Sequence, residues 1–233
     1  MHWLTLLFLL AVASMLAVRL WLSSRQIAAV QAHRDSVPAP FRDRIALADQ
    51  QKAADYTVAR VRFGRIAMVF EAVLLLAVTL GGGIALTDSL WLRLGLPQPW
   101  HGTAVVLTVL TGMTLLRLPF AAWRIFVLET KFGFNRMTPA LFVADLLKQA
   151  LLALVIGAPL LVAALLLMER AGPWWWLFAW VGGVGVTLAL TWAWPRFIAP
   201  LFNRFTPLTD AALKARVEAL LQRRAWRIVG AQT

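Results

Sequence analysis

Cysteine is absent from the 233 residues, which excludes disulfides, thiolate metal sites and a cysteine nucleophile and leaves the redox compartment unreadable. Histidine is nearly as scarce. His2, His33 and His101 fall on separate segments and no H-E-x-x-H occurs, so no hydrolytic zinc site is encoded here. A P-loop lysine motif, G-x-G-x-x-G and G-x-S-x-G are missing too. Negative charge is in short supply: 11 Asp and Glu stand against 23 Lys and Arg, a formal net charge of +12. Only 15% of the residues are charged while 61% are apolar, and twelve Trp accompany a single Tyr. A soluble domain carries about 25% charged residues, so this is the composition of a membrane protein. The basic residues lie between apolar runs rather than on one continuous face, a pattern of topology and anionic lipid rather than of nucleic acid.

A spanning helix needs about 20 mostly apolar residues. Five runs qualify, Trp3–Leu22, Gly64–Leu86, Thr103–Trp123, Leu146–Met168 and Trp174–Pro195, and predict an all-α protein with five transmembrane helices. Ala11-Val12-Ala13 resembles a signal-peptidase site, but no Lys or Arg precedes the first run and it continues to Leu22; it is read as a span. Orientation follows the cations. Segment 23–63 carries Arg25, Arg34, Arg42, Arg44, Lys52, Arg60 and Arg62, the next connection only Arg93, then Arg124, Lys131 and Arg136 alternate with a short turn holding Arg170, and the tail is again basic. The positive-inside rule puts the N-terminus outside and 23–63, 124–145 and the C-terminal tail in the cytoplasm. Trp91, Trp100, Trp123, Trp174–Trp176, Trp192 and Trp194 fall near the span ends, where aromatic rings prefer the interface. Abundant Ala and an excess of Arg over Lys point to a bacterial inner membrane.

Between the spans, Val37-Pro-Ala-Pro40 is a break, and Phe41–Phe63, free of Pro and Gly, predicts a helical stalk running into the second span. Gly81-Gly82-Gly83 reads as a kink or a close helix contact rather than a phosphate loop. Pro195, Pro200 and Pro207 predict an extended segment along the membrane surface. Thr209 then reads as an N-cap, and Leu213, Val217, Leu220 and Leu221 as the stripe of a short amphipathic helix.

Ionisable groups inside spans are costly and therefore informative. Glu71 lies seven residues into the second span and Arg117 six from the end of the third, both about 10 Å deep. Either they pair or share a water-filled cavity, or each snorkels separately to the surface. The polar stretch Glu129-Thr-Lys-Phe-Gly-Phe-Asn-Arg-Met-Thr138 separates two apolar runs. Gly133 suggests a tight turn, Asn135 and Thr138 a turn followed by a helix start before Pro139, and Asp145 and Lys148 stand one helical turn apart. Spacing alone describes a re-entrant or surface hairpin, with a purely structural role open.

Three stretches carry a resemblance: Gln51–Arg60, Glu129–Thr138 with Asp145 and Lys148, and Pro200-Leu-Phe-Asn203-Arg-Phe-Thr-Pro-Leu208. In these the sequence resembles the N-terminal membrane domain of the type I CAAX prenyl endopeptidases, membrane zinc metallopeptidases. The resemblance implies a chamber in the membrane whose cytoplasmic mouth is lined or braced by Glu129, Gly133, Asn135, Thr138, Asp145, Lys148 and Asn203. In such a family zinc is held by the two His of H-E-x-x-H and a downstream Glu, and the motif Glu activates water. No catalytic residue or zinc ligand is assigned to this sequence, whose last residues read as the truncated start of a peptidase domain. The expectation is a membrane domain inactive alone, in the lipid bilayer, partnered by a separate zinc-peptidase domain and by hydrophobic or prenylated peptides. A truncated gene and a split protease are both consistent with it. The alternative is a scaffold or binding module for such peptides, and a transporter is disfavoured because no internal repeat is visible.

Overall fold

The computed structural model describes residues 2–202 and 211–223. All regular structure among them is helical: α1 (Trp3–Ala32), α2 (Leu47–Thr79), α3 (Gly83–Leu92), α4 (Trp100–Glu129), α5 (Pro139–Arg170), α6 (Gly172–Phe202) and α7 (Ala211–Arg223). A 3-10 turn at Ala39–Phe41 marks the proline break after α1. The chain divides after Trp175 into two compact units. The first contains α1 to α5; the second holds most of α6 and α7.

Among the described residues four helices, α1, α4, α5 and α6, are long and apolar enough to cross a membrane, and α2 with α3, taken together across a bend of 47°, makes a fifth. The all-α, five-span reading therefore stands, with corrections to its boundaries. The second span is not one straight helix over 64–86. It breaks at Gly82, whose φ of +84° belongs to the left-handed region that glycine enters without penalty. The first helix does not stop at Leu22, where hydropathy falls. Ser23 and Ser24 donate their hydroxyls back to Leu20 O at 2.8 and 2.9 Å and accept from the Arg65 guanidinium of α2 at 2.7 Å each, so a neighbouring helix supports the polar extension to Ala32. The stalk begins at Leu47 rather than Phe41 and runs unbroken into the membrane.

The extended segment expected after Pro195 is also corrected: α6 continues through both Pro195 and Pro200 to Phe202. Proline lacks an N–H and crowds the carbonyl four residues back, which stops an uninterrupted α ladder. Here the ladder restarts instead. A π turn over Trp194–Ile198 and an α turn over Ala199–Phe202 each carry a proline in their first two positions, where no N–H partner is needed. Pro159 does the same in α5, just after the π turn Ala153–Gly157. The Thr209 cap and Asn203 lie outside the described residues, whereas the expected terminal helix is α7.

Within the first unit α1 and α2 pack antiparallel, as do α4 and α5, and α2 also packs on α3 and α4. Leu7, Val73, Leu115 and Leu151 remain exposed. In a bilayer such surface meets lipid tails, so apolar burial does not drive helix association; close approach and polar bonds do. Ala54 and Ala72 of α2 are correspondingly among the few buried residues.

Candidate functional site

The polar stretch after α4 is a double cap. Gly133 has φ +77°, its N–H donates to Thr130 O at 3.0 Å, and Phe134 N–H donates to Glu129 O at 2.9 Å. These are the two bonds of a Schellman motif, which satisfies the last carbonyls of a helix. Asn135 follows: its Oδ1 accepts from Met137 N–H at 2.7 Å and its Nδ2 donates to Thr130 Oγ1 at 3.0 Å. Thr138 then caps α5, its hydroxyl accepting from Leu141 N–H at 3.2 Å, with Pro139 at the first helical position. One residue of each required type closes α4, turns the chain and opens α5.

The turn rests on α2. The ring of Tyr56, the only tyrosine, meets Phe132 edge-on at 5.3 Å and Phe134 at 4.9 Å, and Lys52 Nζ stands 5.3 Å above the Phe134 ring. On the other side Phe126 of α4 meets Phe142 of α5 at 5.5 Å. The stretches 51–60 and 129–138, about eighty residues apart in sequence, are thus one structure. A pair of charge-assisted bonds steadies the foot of α2: Arg34 Nε and Nη2 donate to the two carboxylate oxygens of Asp55 at 2.9 and 3.0 Å. Those hydrogen bonds, with the attraction of opposite charge, hold the Asp55 carboxyl below its ordinary value and push the Arg34 guanidinium still higher.

The other singled-out residues are placed as follows. Glu129 is half-buried, its Oε1 4.0 Å from Arg124 Nε, while its backbone carbonyl takes part in the cap. Asp145 and Lys148 pair with each other at 3.2 Å, a turn and a half into α5. Glu71 and Arg117 lie apart from the turn, deeper along α2 and α4, with Arg117 Nε 3.8 Å from Glu71 Oε1. They line a small pocket of about 200 Å³ together with Phe63, Phe70, Phe120 and Arg124. A larger groove of about 660 Å³ runs along the same two helices. Its floor is Leu128, 4% exposed, its walls include Ile66, Phe120 and the Phe63–Trp123 stack at 4.4 Å, and Arg62 and Lys131 lie at one end.

Two features escaped the sequence reading. Tyr56 lies within the stretch Gln51–Arg60, and its being the sole tyrosine is the available signal. His101 has another role than metal binding. It is 7% exposed, and its Nε2 lies 2.7 Å from Asp88 Oδ1, which with the Trp91 Nε1 to Thr108 Oγ1 bond at 2.9 Å joins α3 to α4. No group of three His, Asp or Glu side chains converges as a metal-ligand set among the described residues.

Comparison with known proteins bears on this geometry. A family model described as CAAX prenyl protease N-terminal, five membrane helices, matches residues 26–204. The CAAX prenyl protease 1 homolog of Caenorhabditis elegans is 30% identical over 217 residues, 92% of this chain and 48% of that protein. The homolog of Dictyostelium discoideum is 30% identical over 195 residues, 80% of this chain and 45% of its own length. The crystal structure of S. mikatae Ste24p superposes with a TM-score of 0.80 at 25% identity, covering 91% of this chain and 51% of the other. The chain thus spans less than half the length of these two curated relatives.

Proposed function

The chain belongs to the family of CAAX prenyl protease N-terminal domains, integral membrane proteins of five helices, and from that premise we propose that it forms part of a membrane chamber and the cytoplasmic seat for a zinc-peptidase domain acting on hydrophobic or prenylated peptides. The proposed setting is a bacterial inner membrane, with the N-terminus outside and the C-terminus in the cytoplasm, as the distribution of Lys and Arg supports.

One observation carries the reading: the two stretches 51–60 and 129–138 meet at one end of α2, α4 and α5, in a turn with both helix ends capped. A docked catalytic domain must hold its nucleophile within about 3–3.5 Å of a scissile carbonyl, which demands a platform whose backbone bonds are already satisfied. Glu129, Gly133, Asn135 and Thr138 supply that platform, and Asp145 and Lys148 extend it. Glu71 and Arg117 brace α2 to α4 below it; exchanging the two charges is expected to restore the folded yield that either single substitution lowers, and no rescue means that they do not pair. The three histidines do not fit a zinc site, and the imidazole of His101 is engaged by Asp88. The metal would belong to the peptidase domain, where it makes bound water acidic enough to attack at neutral pH.

The test is zinc content and peptide cleavage of the purified chain in detergent, alone and with a soluble H-E-x-x-H domain from the same organism. Zinc retention and cleavage that arise on addition, and weaken when Tyr56→Ala loosens the turn, support the proposal. If neither arises while a hydrophobic peptide still binds, the chain is a scaffold.

A further inference from the structure

The groove between α2 and α4 is polarised along its length. Ala59, Arg62, Phe63 and Ile66 follow one another up α2 into the apolar run, while on α4 the lining descends from Pro119 and Phe120 to Lys131. Both cations therefore stand at the stalk end, where the helices leave the membrane, and the remaining lining is apolar. From Pro119 to Lys131 the groove follows α4 for about 18 Å, close to the ~15 Å of one hydrocarbon leaflet. Its volume of about 660 Å³ is that of a ligand site.

Neither cation is engaged by a carboxylate among the described residues; Lys131 Nζ has only a distant contact, 5.9 Å from the Phe132 ring. Arg124, about two turns back along α4, is by contrast turned toward Glu129. Arg62, Lys131, Trp123 and Ile66 are all exposed. A groove that is apolar at leaflet depth and doubly cationic at headgroup depth complements a molecule with a long chain at one end and an anion at the other.

We propose that this groove is a binding site for an anionic glycerophospholipid, one acyl chain lying along Phe63, Phe120 and Trp123 and the headgroup phosphate between Arg62 and Lys131. A phosphate shared by a guanidinium and an ammonium gains charge-assisted hydrogen bonds that a zwitterionic choline headgroup weakens by bringing its own cation. The site needs no peptidase domain, so it stands or falls independently of the function proposed above.

Native mass spectrometry of the purified 233-residue chain, released from bilayers of mixed dioleoyl phosphatidylglycerol and dioleoyl phosphatidylcholine, reads the site directly. Phosphatidylglycerol is retained in preference to phosphatidylcholine. Arg62→Ala with Lys131→Ala weakens that retention about thirtyfold. Arg62→Lys with Lys131→Arg preserves it, which separates a lost site from a misfolded chain, and Ile66→Trp, which fills the groove while keeping both charges, lowers it. Removing two cations from the opposite end, Arg93→Ala with Arg170→Ala, leaves it unchanged. Equal retention of the two lipids overturns the proposal. So does an equal loss with the Arg93 and Arg170 pair, or displacement of the lipid by soluble glycerol phosphate alone, which marks a plain anion site.

Discussion

Gly133 is held by geometry that no other residue shares without cost. Its φ of +77° sits between two hydrogen bonds that close α4, so a Cβ there strains the backbone while both bonds resist relief. Gly133→Ala is expected to cost about 1 kcal/mol and to lower the thermal midpoint in detergent, with Gly133→Asn milder because asparagine tolerates the left-handed region. Asp55 supplies a pH-dependent contribution at the same scale. Its folded pKa is depressed by the hydrogen bonds from Arg34, so its stabilisation is complete above the ordinary carboxylate value and is lost as pH falls through the folded one. Arg34 stays protonated throughout. The difference in midpoint between wild type and Asp55→Asn is therefore largest near neutrality, begins to shrink as the pH falls below about 4 and closes only below the lower, folded value; a difference that does not shrink on acidification places the effect in packing instead.

At the scale of elements, the junction of α2 with the turn before α5 depends on one aromatic ring. Each edge-on contact of Tyr56, with Phe132 and with Phe134, contributes about 0.5–1.5 kcal/mol beyond buried area. Tyr56→Ala is expected to free the turn, seen as faster trypsin cleavage after Lys131 and Arg136, whereas Tyr56→Phe keeps wild-type resistance. Equal cleavage rates in the two variants mean that the ring does not hold the turn. The same scale explains the misread proline segment. Composition marks each proline as a break, yet a π turn widens the helix by one residue and lets the next segment begin where a missing N–H costs nothing. Pro159, Pro195 and Pro200 therefore re-register a helix rather than ending it.

For the whole molecule, the decisive property is which side of the bilayer holds the turn. The absence of cysteine gives this question a clean readout, because an introduced thiol is the only one present. In sealed inside-out vesicles an impermeant maleimide is expected to label Ser36→Cys and leave Gly95→Cys unlabelled, with the reverse in right-side-out vesicles. Reversed labelling inverts the orientation and places the proposed seat outside the cytoplasm. The five helices were legible from sequence alone because a bilayer imposes one requirement, about 20 apolar residues per crossing, and a linear pattern displays it. Their ends were not, since Ser23, Ser24 and Arg65 extend α1 through bonds between separate helices that no hydropathy window contains.

The caps at Gly133, Asn135 and Thr138 follow from the sequence by itself, because each bond spans only a few residues and depends on the residue type at its own position. The kink at Gly82 belongs with them. Tertiary structure alone decided that Tyr56 receives the turn, that Glu71 comes within 3.8 Å of Arg117, that His101 pairs with Asp88 and that Arg62 and Lys131 share the end of one groove. These relations join different helices. Periodicity states which face of a helix is apolar or charged, but the partner of that face depends on how neighbouring helices are rotated and shifted, and that is settled only when side chains from distant parts of the chain meet.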